Sequence, residues 1–423
     1  MFIQIHMLQS MPPGNLNRDE TGQPKKCLFG GVTRGRISSQ CLKRNIRRSP
    51  EFKAAFGDAL ADRTTYLPRM VADALKDGKN SVPDDERELL MTAIAARFKK
   101  EKRGGDSDED GEGGDAGSSG EQEPGEQAGQ TGQLVFFPPP FAVRIAELAT
   151  KFRKDNPRAY DRFIGRKLQP KPAKDEEASI KAAIDNLVRE IAAASQKLTV
   201  DIGLFGRMTT SDLVVNVEAA CQVAHAMSTH EVIIESDYFT AMDDRKAEYV
   251  TSQTDKAGAA FMGTGETETF FDAAVYYKYL NVDLDALRRH LPSLGDAGAA
   301  KVAGTLVRAA ALANPTGKQN SFASHSVPEL ILVEVSASRR PLSYANAFLQ
   351  PVEGPNLLAQ SSQALRAYVE SVAPAFEPKD LQRFLLAVGH GKTVIDNTQS
   401  ATTLEQLVAM VEKAITPSGK ASR

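Results

Sequence analysis

Residues 104–133 can form no part of a packed core. They carry nine acids and no Lys or Arg, and Gly, Ser and Gln make up most of the rest. A segment this polar buries too little apolar surface to offset the entropy of ordering it. The fold must tolerate it as an insertion in a surface loop. The flanking sequence shows what it interrupts. Phe52, Phe56 and Leu60, then Leu89, Leu90, Ile94 and Phe98, recur at helical spacing before it. A helical pattern resumes over 141–198, with acids opening a helix near Asp175 to Ala194. Residues 50–198 therefore read as one helical subdomain, disordered over 101–133 and inserted into a mixed core.

That core is drawn from both ends of the chain. Residues 2–8 alternate, with Ile3, Ile5 and Met7 on one face, and Pro12-Pro13-Gly14 is expected to end the strand. Val200 to Met208 and Val217 to Thr229 are further strand candidates. Phe270 to Leu280, with Val275-Tyr276-Tyr277, is the clearest strand. Asp283 or Asp285 opens a helix, and Ala297 to Ala313 forms a long Ala-rich one. Leu330 to Val335 has the composition of a buried strand, and Thr403 to Ile415 that of an amphipathic helix. The order of elements predicts an α+β fold: a ferredoxin-like or RRM-like sheet backed by helices. A chain of 423 residues is long enough for two or three compact units. No internal repeat is visible.

Charge narrows the function. The formal net charge is −2, and without the nine acids of 104–133 the remainder is +7. Affinity for a polyanion must then come from a local patch. Residues 1–50 hold nine Lys or Arg (18, 25, 26, 34, 36, 43, 44, 47, 48) against two acids. Ser38 or Ser39 is suited to cap a helix. From there Gln40, Lys43, Arg44 and Arg47 share one face, while Leu42 and Ile46 point the other way. A polyanion along that face would relieve the repulsion between Lys43 and Arg47, and the helix N-terminus offers N–H donors to a phosphate. A solvated basic helix is the plainer alternative. The glycines at 30, 31 and 35, and Ser and Gln among the cations, favour binding to a nucleic-acid backbone.

Three other segments invite the same question. Gly203-Leu204-Phe205-Gly206-Arg207-Met208 is either a strand end with Met208 in the core, or a phosphate contact by Arg207 beside a base contact by Met208. Gly317-Lys318-Gln319-Asn320-Ser321 is either an ordinary turn or a second backbone-binding loop. Residues 230–268 form a long polar excursion between strands, in which Phe239 is either a loop anchor or a wedge between bases. No catalytic set emerges. The cysteines at 27, 41 and 221 form no CxxC pair, the six histidines lack metal-ligand spacing, and no GxSxG or Walker A motif occurs. His225 reads as a core histidine, and Asp243-Asp244 as solvated acids. The start lacks a secretory leader's pattern and no run approaches a membrane span, so a soluble cytoplasmic protein without cofactor or metal is expected.

Taken in order, these segments resemble the CasC family, the backbone subunit of the type I-E Cascade complex of CRISPR immunity. The matching pieces are Leu16-Asn17-Arg18-Asp19, Phe29-Gly30-Gly31, Arg36-Ile37-Ser38-Ser39-Gln40 with Leu42-Lys43-Arg44, and Gly206-Arg207-Met208. They continue with Ala224-His225-Ala226, Thr229-His230, Asp237 to Asp244, Tyr276-Tyr277-Lys278-Tyr279, Lys318-Gln319, Pro341-Leu342-Ser343 and Ala345-Asn346-Ala347-Phe348. The resemblance implies a hand-like subunit: an RRM-like palm over 1–49, 199–229 and 269–423, inserted helical fingers over 50–198, and an extended hairpin or loop thumb over 230–268. Copies would stack in a helical filament along a CRISPR RNA, beside other Cascade subunits, and the guide would pair with target DNA. Arg18, Lys25, Ser38, Gln40, Lys43, Arg47, Lys318 and Gln319 match RNA-backbone positions, and Arg34, Arg36, Arg44 and Arg207 are expected to join them. Phe239 and Thr240 match the thumb at a displaced base, with Met208 as the partner wedge. The acidic tract departs from the family pattern, as does Asn320 where a cation is common. No enzymatic group is needed for such a role. Two alternatives remain: a type III-like backbone subunit cleaving target RNA with a metal at Asp19, Asp243 or Asp244, and a general single-stranded RNA-binding protein.

Overall fold

The computed structural model describes residues 1–76, 81–98, 129–237, 241–242, 259–261 and 269–416. They divide into two compact units. The first comprises 1–46, 223–281 and the chain from 306; the second comprises 47–222 and 282–305.

A large mixed sheet organises the first unit. Eight of its strands run in the order Thr398–Ala401, Gln382–Ala387, Leu330–Ser336, Phe2–Gly14, Thr269–Asp283, Ala226–Ser228, Val32–Ile37 and Lys26–Phe29. The N-terminal strand pairs antiparallel with Leu330–Ser336, from Phe2 opposite Ser336 to Leu8 opposite Leu330. It differs from the expected half-exposed strand: residues 2–9 are all buried, so both faces are covered. It also runs through Pro12 and Pro13, which lie beyond Leu8, where the ladder with Leu330–Ser336 has ended. Leu8, Val275, Tyr277, Tyr344, Phe348, Leu365 and Leu385 form the core on one side.

Polar side chains are buried within this sheet, and they are paired. Glu334, 1% exposed, accepts from Arg383 Nε at 2.8 Å and from the Tyr344 hydroxyl at 2.7 Å. Gln4 Nε2 donates to its other oxygen at 3.2 Å, and His6 Nε2 lies 3.5 Å from it. Burial alone would raise the Glu334 pKa, but His6 and Arg383 overcome it and hold the carboxyl below its usual value.

Asp272 has no such cation acting on it among the described residues. It is 7% exposed, and its Oδ2 accepts from the Tyr276 hydroxyl at 3.1 Å. Only a glycine fits above this pair: a Cβ on Gly35 would sit 2.6 Å from the Tyr276 oxygen and 3.0 Å from Asp272 Oδ2. Burial pushes the Asp272 carboxyl up to about 6, so the fold favours its protonated form. That contribution is fully present below the ordinary carboxylate pKa and is lost as pH rises through about 6. Asp272→Asn should therefore raise stability above pH 6 by up to about 3 kcal/mol. The gain should fade toward pH 4 in urea titrations; a gain independent of pH would exclude this cause.

The second unit is mostly helical. Its main helices are Leu67–Ala74, Asp84–Ala96, Phe141–Asp155, Pro157–Phe163 and Lys174–Ala194. They share a core that includes Leu67, Val71, Leu90, Ile94, Phe141, Ile145, Phe163 and Leu187. Most of 101–133 lies outside the described residues. Its end is a correction: Thr131 is 5% exposed, and its N–H donates to the Thr65 carbonyl at 2.8 Å. Val200 to Met208 is a second correction. Val200–Phe205 is helical, and Gly206, at φ 77°, terminates it. Val217 to Thr229 is likewise two short strands, Cys221–Val223 and Ala226–Ser228.

Candidate nucleic-acid interface

Four short pieces of the first unit build a basic face. The loop from Asn15 to Asp19 comes first. Asn15 Nδ2 donates to the carbonyls of Gly22 at 2.9 Å and Phe270 at 2.8 Å, which ties the loop to the long strand. Asp19 Oδ1 accepts from Thr21 N, Thr21 Oγ1 and Gln23 N, closing an Asx turn. The turn delivers Lys25, whose N–H donates to the Asn17 carbonyl at 2.8 Å.

The hairpin Lys26–Phe29 with Val32–Ile37 is the second piece. Arg36 N donates to the Lys25 carbonyl at 2.8 Å, so these two residues lie opposite one another across the hairpin. Arg36 is also the register partner of Met227. Its guanidinium donates to His225 Nδ1 at 3.2 Å.

The helix Ser39–Arg48 is the third piece. Ser38 caps it, with Oγ accepting from Cys41 N at 3.3 Å. Cys41, Leu42 and Ile46 are its buried residues, which leaves Gln40 and Lys43 partly exposed and Arg44 exposed. No acid occupies its first turn. The positive end of the helix dipole is thus not neutralised there, and the first-turn N–H groups lack intrahelical acceptors. Asn17 stands at this end. It is 4% exposed, its Oδ1 accepts from Ser38 N at 2.8 Å, and its Nδ2 finds no acceptor among the described residues. A buried amide donor at a helix N-terminus suits an anion.

The loop at 317–319 is the fourth piece. A Cβ on Gly317 would sit 2.3 Å from the Asn15 carbonyl oxygen and 2.9 Å from that of Leu16, so glycine lets this loop lie on the first one. Lys318 takes a left-handed backbone, φ 56°, and its Nζ lies 3.4 Å from Thr269 Oγ1. Gln319 Nε2 is engaged within its own loop, on the carbonyls of Pro315 and Ser324.

Arg18, Lys25, Arg36, Ser38, Gln40, Lys43, Arg44 and Lys318 thus belong to these pieces. Three other cations expected on RNA are placed differently. Arg34 is 0% exposed and donates to the carbonyls of Phe29, Ser228 and Phe348. Arg47, itself part of the second unit, donates to the Ala61 carbonyl and pairs with Asp201 at 3.4 Å. Arg207 is 5% exposed, donates to the carbonyls of Val215, Phe136 and Ser195, and burial lowers its pKa to about 10. A guanidinium held by three carbonyls fixes backbone and does not reach a phosphate. Met208 is not a core residue: it is 84% exposed. Phe239, Thr240, Asp243 and Asp244 lie outside the described residues.

His225 corrects the expectation of a core histidine. It is exposed, in the short connection between Cys221–Val223 and Ala226–Ser228. Desolvation, then Arg36, Lys25 and Lys43, hold its pKa below the ordinary histidine value. One histidine thus senses three cations from separate segments, which locates them in one neighbourhood. Among the described residues, no group of three or more His, Cys, Asp or Glu side chains is placed to hold a metal ion, and no helix is long and apolar enough to cross a membrane.

No curated protein matches the chain in sequence. A chain from a CRISPR RNA-guided surveillance complex in a pre-nicking state is similar over 98% of this chain and 100% of its own length, at 26% identity and a TM-score of 0.71. A chain of another CRISPR RNA-guided surveillance complex has the same fold over 98% of this chain and 100% of its own, at 22% identity and a TM-score of 0.64. The CT1975-like protein family matches residues 3–412. The chain therefore belongs to the CT1975-like protein family of CasC-type CRISPR proteins.

Proposed function

We propose that this chain is a backbone subunit of a type I-E, Cascade-like surveillance complex, in which copies of it stack along a CRISPR RNA and hold the guide for pairing with target DNA. The observation that carries the reading is the gathering of Lys25, Arg36 and Lys43 about His225, with Lys43 on a helix whose first turn holds no acid. Such a face offers donors to phosphate and reads no base edge, so it binds any guide sequence equally. Membership in the family and the likeness over 98% of the chain to a surveillance-complex chain support it. In this reading Met208 and the thumb residues Phe239 and Thr240 set displaced bases apart, and the subunit has no catalytic task. Asp19 supports that last point, since its carboxylate oxygen is held by Thr21 and Gln23.

The test is purification of the tagged chain from cells that also carry a CRISPR array and the neighbouring CRISPR genes. The expected result is a multi-copy ribonucleoprotein containing array-derived RNA of uniform length. A protein recovered free of RNA, or with RNA of arbitrary length and origin, would overturn the reading. Regular metal-dependent cleavage of a complementary RNA would replace it with the type III-like one.

A further inference from the structure

The position of His225 implies more than a bystander. A guanidinium can only donate hydrogen bonds, so at 3.2 Å from Arg36 the His225 Nδ1 must accept, and the neutral ring carries its proton on Nε2. The charged groups that act on this ring come from three elements: Arg36 of the hairpin, Lys25 of the segment before it, and Lys43 of the helix. On the fourth side, Ala224 N donates to the carbonyl of Tyr279 on the long strand. Tyr279 there gives its hydroxyl proton to Gln4, and Tyr277 is held neutral by burial. Among the described residues, the charged groups that act on His225 are all positive.

A bound phosphodiester changes both conditions. Its charge offsets the three cations that disfavour protonation. Its oxygens also give Arg36 another acceptor, which frees Nδ1 to take a proton from solvent and become a donor itself. From this arrangement we infer that His225 is a proton-dependent contact of the anion seat, so that holding a phosphodiester is coupled to the uptake of one proton at Nδ1. The inference rests on the RNA-holding reading and deepens it. It makes guide retention tighten as pH falls, beyond any change in phosphate charge.

The experiment uses the full chain and a short oligouridylate RNA, whose bases and phosphates do not titrate between pH 5.5 and 7.5. Affinity is measured by fluorescence anisotropy across that range at fixed ionic strength, for the wild type and for His225→Gln. We expect the wild type to tighten about five-fold on acidification and the variant to stay flat. In parallel, the His225 resonance of histidine-labelled protein, assigned by its loss in the variant, is titrated with and without RNA. Its midpoint should lie below the ordinary histidine value in the free protein and move up in the complex. RNA binding with an unmoved midpoint, or with equal pH dependence in both proteins, overturns the inference and leaves the RNA-holding reading intact. Absence of RNA binding at every pH overturns both.

Discussion

Arg36→Glu/Lys43→Glu is expected to abolish guide loading while leaving the chain folded. Neither side chain belongs to a buried core: both are partly exposed, on a hairpin and on a helix whose packing is carried by Cys41, Leu42 and Ile46. Each charged hydrogen bond lost from a phosphate should weaken binding by about 1.5–3 kcal/mol, and reversal adds repulsion, so RNA affinity should fall about a hundred-fold or more. The slope of log affinity against log salt should flatten by about two, one for each contact. Filter binding over a salt series, with circular dichroism of the free protein as the control for folding, separates the outcomes. Undiminished affinity in a folded variant would remove this face from the RNA path. Arg47 is left out of the double variant on purpose. Its charge answers Asp201, which is 0% exposed, and reversing it would test folding of the second unit instead.

The largest effect on stability is expected at Arg383. Arg383→Met should cost about 3–5 kcal/mol, because it removes the guanidinium paired with buried Glu334 and leaves that carboxylate with His6 as its remaining basic neighbour. The loss should show as a lower midpoint in urea denaturation of the whole chain. Glu334→Gln in the same background should restore part of it, since the buried carboxylate is then gone while Gln4 and Tyr344 keep a polar partner. A cycle in which the two substitutions simply add would mean that the two groups are not coupled across strands Leu330–Ser336 and Gln382–Ala387.

How much of this was legible in the sequence differs by residue. Local rules worked where a single element decides. The cap at Ser38, the inward side of Leu42 and Ile46, the strand from Thr269, the N-cap at Asp283 and the C-terminal helix capped by Thr403 all follow from spacing and capping. The helix Val200–Phe205 was missed because a short apolar run has no period to read; Gly206 was the available sign of a helix end. The cations divide for a different reason. Arg34 and Arg36 are two residues apart on one strand, yet one is sealed beneath Phe348 and the other is open beside His225. Which of them is covered depends on a segment more than three hundred residues away in sequence. A count of charges along the chain cannot contain that information. The same holds for Arg207, whose three carbonyl partners come from widely separated positions. Asn17 shows the reverse case. Its motif was visible, but its spare donor could be recognised only after Ser38 had taken its oxygen.

Arg34, with its three carbonyl acceptors, gives the hairpin a property of its own. A two-stranded ribbon at the edge of a sheet is marginal by itself in water and would sample many arrangements of the side chains it carries. The guanidinium bolts the turn at Phe29 to the neighbouring strand at Ser228 and to the segment ending at Phe348. The restriction of the hairpin is thereby completed during folding. On the proposed reading a passing strand of RNA meets cations already held in place, so little conformational freedom remains to be lost on association and most of the contact energy appears as affinity. In the proposed role, where copies grip one long RNA at many successive points, that saving recurs at every copy.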